Sequence, residues 1–531
     1  MRSQWPRRIV PRWRSSMVSA SLSDSSPLRQ KAKFLTSENE RELIEDVTNR
    51  MNAWAKSPSL GVAADLLNFS HVPELKDLLR GPAEFVMNNK EVLSPQLSLL
   101  ANTVLGTSSY PLELINSPRF EIARLRQKLQ VNPRDSLALV DMARIYAIFG
   151  QNKQAGRAVR MAVSLQPDNR FILRSAARFF LHDGDPDHAL GILKRSSRTQ
   201  DDPWLLASMI AIETIKDKSP QFFKRAKIMI ENKRFFPIHI AELSGALATV
   251  HLNSGEVKLA KKMFNASLGN PNDNAVAQAV WAANEFSIPI NIQQEWLTGK
   301  FSSEANYYTN ERSGNYSEAL RAAMEWFEDE PFSSRPLKAG TFAAAILGDY
   351  RAAEKLSRKS LQLDPEDGEN KNNLIFSLAS QDELEESIKL INEIIYVEGK
   401  NEKGLSGHTL ANLGLISYRS GDSELGRKFY ERAQSLLMQT RQNSALALAL
   451  AFWAHEATKA SDPELESILK KVTDIVSKGE STAAKIVLQK TSSLILQVPK
   501  EKIIFRPAVS WEHDRINNIL ISSTKDPFRV K

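Results

Sequence analysis

A spacing of 34 residues recurs along this 531-residue chain and limits its fold more than any other feature. From Asn132 to Asn169, two apolar stretches of helical period flank a turn at Gly150–Asn152. A step of 34 residues takes Leu139 to Leu173, Ala143 to Ala177, Tyr146 to Phe180 and Gly150 to Gly184. The same step takes Ala155 to Ala189, Val159 to Leu193 and Pro133 to Pro167. Large residues return to large and small to small, so packing repeats along with spacing. Each unit reads as two antiparallel amphipathic helices. Gly150 supplies a left-handed turn between them, and Ala143 and Ala155 permit close approach. Leu139, Tyr146 and Val159 fill the gap to the next unit, and Pro167 ends the second helix. One such hairpin cannot bury its apolar faces alone, so the units must stack.

Further copies follow. Gly255, Ala260, Phe264 and Ser267 stand at the turn, small, large and small places, and Gly314, Ala319 and Pro331 repeat as Gly348, Ala353 and Pro365. Asp382 and Ser387 mark a weaker copy without its glycine. Leu410, Leu413, Gly414, Gly421, Gly426, Tyr430 and Ala433 mark a strong one. A five-residue excess around Tyr396–Ser406 reads as an expanded linker. Between Asp201 and Pro237, and between Ala275 and Phe301, the helical period persists while the signature fades. The total is about nine units. The pattern held by Leu139, Met142, Ala143, Tyr146, Ala155, Val159, Ala162 and Pro167 resembles the tetratricopeptide repeat, over roughly Asn132–Leu437. That resemblance implies an all-α fold, a right-handed superhelical solenoid of antiparallel helix pairs with helical caps at both ends. It also implies that first helices line a concave groove holding an extended peptide or a partner helix.

The expected layout runs from a basic, disordered tail (1–33) through an N-terminal helical cap or degenerate repeats (34–131) to the array (132–437). Helices are expected in the first cap at Glu38–Ala55 and Val72–Asn89. A C-terminal cap (438–500) with helices at Ser444–Lys459, Pro463–Ser477 and Ser481–Val498 precedes an irregular tail (501–531). Residues 1–33 carry eight basic side chains against Asp24 alone, a net of +7 that leaves +1 of the chain's +8 for the remainder. The high pI thus belongs to the tail, and the body offers no broad phosphate-neutralising surface. The Arg- and Ser-rich opening fits an organelle transit peptide in composition, but Pro6 and Pro11 interrupt the helix such peptides form. The alternatives are a basic tail, or an extension upstream of a natural start at Met17. The longest apolar run, Ala445–Ala454, is about half of a membrane span. The expected compartment is cytoplasmic, or organellar if the opening is a transit peptide.

Catalytic signals are sparse. Without cysteine there is no thiolate metal site and no cysteine nucleophile. Phosphate-loop, dinucleotide and nucleophile-elbow motifs are missing. His182 and His188 are six apart across a turn, and His455–Glu456 is followed by Lys459 where a zinc motif needs histidine. Acidic runs such as Glu328–Asp329–Glu330 and Glu385–Glu386 read as solvated helix ends and faces. No metal or cofactor is expected.

The groove-facing positions are more informative. Arg144 and Arg178 are 34 apart, with Arg174 one helical turn from Arg178, and such guanidiniums suit carboxylates or phosphates. The alternative is that they are solvated or ion-paired within the fold. Arg335, Lys338, Asn372, Asn373 and Asn412 form a second candidate patch on later first helices. Some members of the resembled family clamp a partner's C-terminal carboxylates with Lys, Asn and Arg. Here Phe342 stands one turn after Lys338 where that clamp has Asn, so only a generic polar groove is expected. Tyr307, Tyr308, Trp281 and Trp326 read as inter-helix packing. The expected function is a non-enzymatic scaffold or adaptor for a protein partner or peptide, acidic ones included. The alternatives are a nucleic-acid-associated regulator using the tail and arginine strip, and an unrecognised enzyme in the C-terminal region.

Overall fold

The computed structural model describes residues 11–16, 47–67, 75–89, 101–105 and 118–497, except positions 49, 103, 217, 233–234, 299–300, 400–403 and 480. The rest of the basic tail with Met17, the start of the expected Glu38–Ala55 helix and the tail 501–531 lie outside the described residues. Among the described residues the regular structure is helical, with no strand. They fall into two units, Ser15–Ile145 and a second that joins the N-terminal stretch through Arg14 to everything from Tyr146 onward.

In the first unit, helices Leu60–Leu67 and Lys76–Asn88 pack together. Leu66, Leu67, Leu79, Ala83 and Val86 form their buried seam, with Trp54 edge-on to Phe85. Pro118–Val131 follows, and then Ser136–Ile148, whose last turn from Tyr146 belongs to the second unit.

The second unit is all-α, a succession of antiparallel helix pairs. Arg170–His182 packs on Pro186–Arg195, Pro203–Ile215 on Phe223–Glu231, and Pro237–Asn253 on Val257–Ser267. Ser303–Ser313 packs on Tyr316–Asp329, Ser334–Leu347 on Tyr350–Leu363, Gly368–Ser380 on Leu384–Glu398, and Gly407–Arg419 on Ser423–Gln439. The first helices of successive pairs also touch, except that Asp273–Glu285 bridges Pro237–Asn253 and Ser303–Ser313, so each hairpin has its apolar face covered by a neighbour. Tyr307, Trp281 and Trp326 are core residues and Tyr308 is half-buried, in keeping with inter-helix packing. Asp273–Glu285 packs on Pro237–Asn253 and Ser303–Ser313, and among the described residues a stretch with one 3-10 turn at Gln294–Leu297 follows it in place of a second α-helix. That irregular stretch is where the repeat signature fades.

The turns explain the glycine spacing. Gly314 and Gly348 end their helices at φ +79° and +82°. At the second turn the Gly348 N–H donates to Ala345 O and the Asp349 N–H to Ala344 O, both at 3.0 Å. These bonds satisfy carbonyls a helix end leaves open, and the φ they need is cheap only for glycine. In the weaker copy Asp382 occupies the same place and adopts φ 65° nonetheless.

The C-terminal end is three helices, Asn443–Lys459, Leu465–Lys478 and Thr482–Gln497. The last packs on the first of these and returns to an earlier repeat, where Lys490 Nζ donates to Ile346 O at 2.9 Å and Leu347 O at 2.7 Å. A cation there answers the partial negative charge of the helix end.

Glu311 introduces a pH dependence. Burial, with a contribution from Glu285, pushes its carboxyl from 4.5 to about 7. A raised folded-state pKa means that the folded chain holds a proton the unfolded chain has released. Unfolding free energy should therefore fall as pH rises from about 4.5 to about 7, by roughly 1–3 kcal/mol. Glu311→Gln should remove that slope and be the more stable form at pH 8. Urea titrations of both chains at pH 5 and pH 8 measure the difference.

Candidate functional site

Helix Arg170–His182 places Arg174 and Arg178 one turn apart, and both are buried, Arg178 at 2% exposure. A buried guanidinium requires a partner, and each has one from a distant repeat. Arg174 Nη2 donates to both carboxylate oxygens of Glu242, at 2.8 and 3.0 Å, and its guanidinium lies 4.6 Å over the Trp204 ring. Arg178 stands 3.7 Å from Glu330, donates to Ser333 Oγ at 3.5 Å and lies over Phe332 at 5.0 Å. Burial lowers the Arg178 pKa to about 10, which still leaves it charged at neutral pH.

Acids and aromatics complete this wall. Glu304 is at the start of Ser303–Ser313, fully buried, and accepts from Arg335 Nη2 at 2.7 Å. Arg335 also covers the Trp326 ring at 5.0 Å, and Trp326 Nε1 donates to Glu330 at 3.2 Å. Asp273 opens Asp273–Glu285, and Asp329 closes Tyr316–Asp329. Four carboxylates, Asp273, Glu304, Asp329 and Glu330, thus share this wall with two guanidiniums, Arg178 and Arg335, which lie beside Glu304 and Glu330. Among these six described side chains the carboxylates outnumber the guanidiniums by two.

The chain's own N-terminal stretch neutralises that excess. Arg12 bonds Asp273 at 3.1 Å, Glu330 at 2.9 Å and Glu304 at 2.6 Å. Arg14 grips Asp329 with two bonds of 2.6 Å and reaches Asp273 at 2.8 Å, its guanidinium 4.4 Å over Phe301. Between them Trp13 is 1% exposed and packs against Phe179 and Phe332, at ring separations of 5.9 and 5.0 Å. Burial opposes the charge of Arg12, but Glu304, Glu330 and Asp273 outweigh it and raise its pKa. Burial likewise opposes ionisation of Glu330, yet Arg12, Arg178 and Arg335 hold its carboxyl well below the usual range. Burial, with Arg178 beside it, lowers the neighbouring His182 to about 4, so its imidazole is neutral at physiological pH.

Magnitudes show what keeps the segment in place. Ordering the three residues Arg12, Trp13 and Arg14 costs roughly 1–2 kcal/mol each. Removing a tryptophan from water returns about 4–6 kcal/mol. These two nearly cancel, so the charge-assisted bonds of Arg12 and Arg14 decide occupancy.

Of the positions singled out in the sequence, Arg178 and Arg335 meet around Glu330. Arg174 joins a separate pair with Glu242. Lys338 bonds Asp367 at 2.6 Å and Glu369 at 2.9 Å. Asn412 Nδ2 donates to Asn372 Oδ1 at 3.0 Å, and Asn373 is half-buried beside them. Arg144 is half-buried on Ser136–Ile148, in the other unit. Glu330 is no solvated helix end: it is 1% exposed and bonded on both sides. Sequence reading assigned Arg12, Trp13 and Arg14 to a tail and missed their role. The available signal was complementary charge, an arginine-rich opening in a chain whose Glu328–Asp329–Glu330 run precedes Phe332.

No family model and no curated protein matches the chain. Among solved structures it is similar to the crystal structure of yeast Tom70, at 13% identity over 85% of this chain and 99% of that one, with a TM-score of 0.31.

Proposed function

We propose that this chain is a protein-interaction scaffold without chemistry of its own, whose acid-lined wall receives a positively charged segment of a partner protein. The single observation that supports this reading is the seating of Arg12, Trp13 and Arg14 among Asp273, Glu304, Asp329 and Glu330. Arg174, Arg178 and Arg335, among the arginines that suggested an acidic partner, are already met by internal carboxylates, and the described carboxylates of the wall outnumber its guanidiniums. A nucleic-acid backbone would meet like charge there, which speaks against the regulatory alternative. The test is comparative affinity capture from the native source. One bait is the full chain with Arg12, Trp13 and Arg14 changed to alanine, and the other adds Asp273→Asn and Asp329→Asn. Partners that depend on the two carboxylates support the reading. Identical partner sets on both baits contradict it.

A further inference from the structure

The occupied wall specifies its ligand in more detail than charge alone. Two arginines flank one aromatic residue, and each of the three side chains has a built receptor. The first arginine sits where Asp273, Glu304 and Glu330 converge, the second is clasped at both ends by Asp329, and the ring fills the space between Phe179 and Phe332. Glu304 and Glu330 are almost wholly inaccessible to solvent, so this is an interior site.

We propose that the Arg12–Trp13–Arg14 segment is an internal stand-in for a partner, and that it competes with a protein segment carrying the same Arg–aromatic–Arg order. This rests on the scaffold reading above and adds the identity of the recognised chemistry. A tethered segment has a high effective concentration, so an external segment must make contacts the tail does not. Two donors near Arg12 are placed for this: Arg178 Nε and Arg335 Nη1 are buried, and no acceptor among the described residues satisfies them. Carbonyl oxygens of a longer or differently directed peptide backbone can take them up, and buried donors gain most from a partner. A buried pair of arginines on acids also gives selectivity. Lysine cannot reproduce the two-pronged grip on Asp329.

The probe is a fluorescent peptide with the sequence of residues 5–18, titrated by anisotropy into two full-length chains. One is the natural sequence and the other carries Arg12→Ala, Trp13→Ala and Arg14→Ala. The altered chain should bind the peptide at least about tenfold more tightly than the natural one, because its receptor is vacant. Adding Asp329→Asn to the altered chain, or Trp13→Ala to the peptide, should weaken binding by at least about tenfold. Equal affinity for both chains, or no binding by the altered chain while its helicity is retained, overturns the proposal. If the altered chain loses helicity, amide exchange in the natural chain provides the answer. Saturating peptide should accelerate exchange at residues 12–14 by about tenfold or more, and unchanged exchange rejects displacement. Carboxylate-dependent partners in the capture experiment combined with failure here would leave the scaffold reading standing and remove only the Arg–aromatic–Arg assignment.

Discussion

Replacing Glu304 with alanine is expected to lower the unfolding free energy by about 3–5 kcal/mol, the range for removing one partner from a buried ion pair. Glu304 has no solvent access and lies between Arg12 and Arg335, so its loss leaves two guanidiniums short of an acceptor in a desolvated wall. The effect divides in a way that identifies its cause. Arg12 belongs to a short segment that can withdraw into water, whereas Arg335 is held by helix Ser334–Leu347. Combining Glu304→Ala with Arg12→Ala should therefore cost less than the sum of the two single changes, with a coupling of about 1 kcal/mol or more. Urea titration of the four chains provides this cycle, and additive changes would show that Arg12 does not meet Glu304 in solution.

The second large effect lies in the hairpin Gly407–Arg419 and Ser423–Gln439, where two glycines each face a tyrosine of the opposite helix. A Cβ on Gly414 would stand 2.6 Å from the Tyr430 ring, and one on Gly426 would stand 2.5 Å from the Tyr418 ring. Neither ring can move aside. Tyr430 stacks on Trp453 with planes 6° apart, and Tyr418 donates to Asp462 while accepting from Trp453 Nε1. Helix propensity alone favours Gly→Ala by about 1 kcal/mol. Overpacking costs about 1–3 kcal/mol and more where the neighbours are fixed, so it decides the sign. Gly414→Ala should destabilise by about 2 kcal/mol. Gly191→Ala is the control: it lies inside helix Pro186–Arg195 with nothing within 4 Å of an added Cβ. That change should stabilise by about 0.5–1 kcal/mol, and thermal melts of both variants test the contrast.

The two glycine positions also show which parts of the structure were legible in advance. A hairpin is a local object: its turn, its small contact residues and its large spacers all lie within 34 residues, so periodicity displays them together. The same spacing located Asp382 at a turn although it is not glycine. The fading of the pattern after Ala275 has a physical basis, since the chain after Glu285 is not a regular helix until Ser303. The site was legible only in part. Helical phase marks Arg174 and Arg178 as sharing a face, but their partners Glu242 and Glu330 come from other repeats, at separations that no local pattern encodes. Glu330 follows two acids at a helix end, a context that ordinarily means solvent. Arg12, Trp13 and Arg14 are further still from their receptors: the bond from Arg12 to Glu330 spans 318 residues. A composition shift marks them as a tail, and only the fold brings them to the wall. Charge was legible as a total and illegible as a placement.

Light-induced crosslinking from position 13 tests the central claim most directly. With benzoylphenylalanine in place of Trp13 in the full chain, irradiation at high dilution should join this residue to segments containing Phe179 and Phe332, identified by mass spectrometry of the digested monomer. Crosslinks confined to other segments, or formed only between separate chains, would contradict the account.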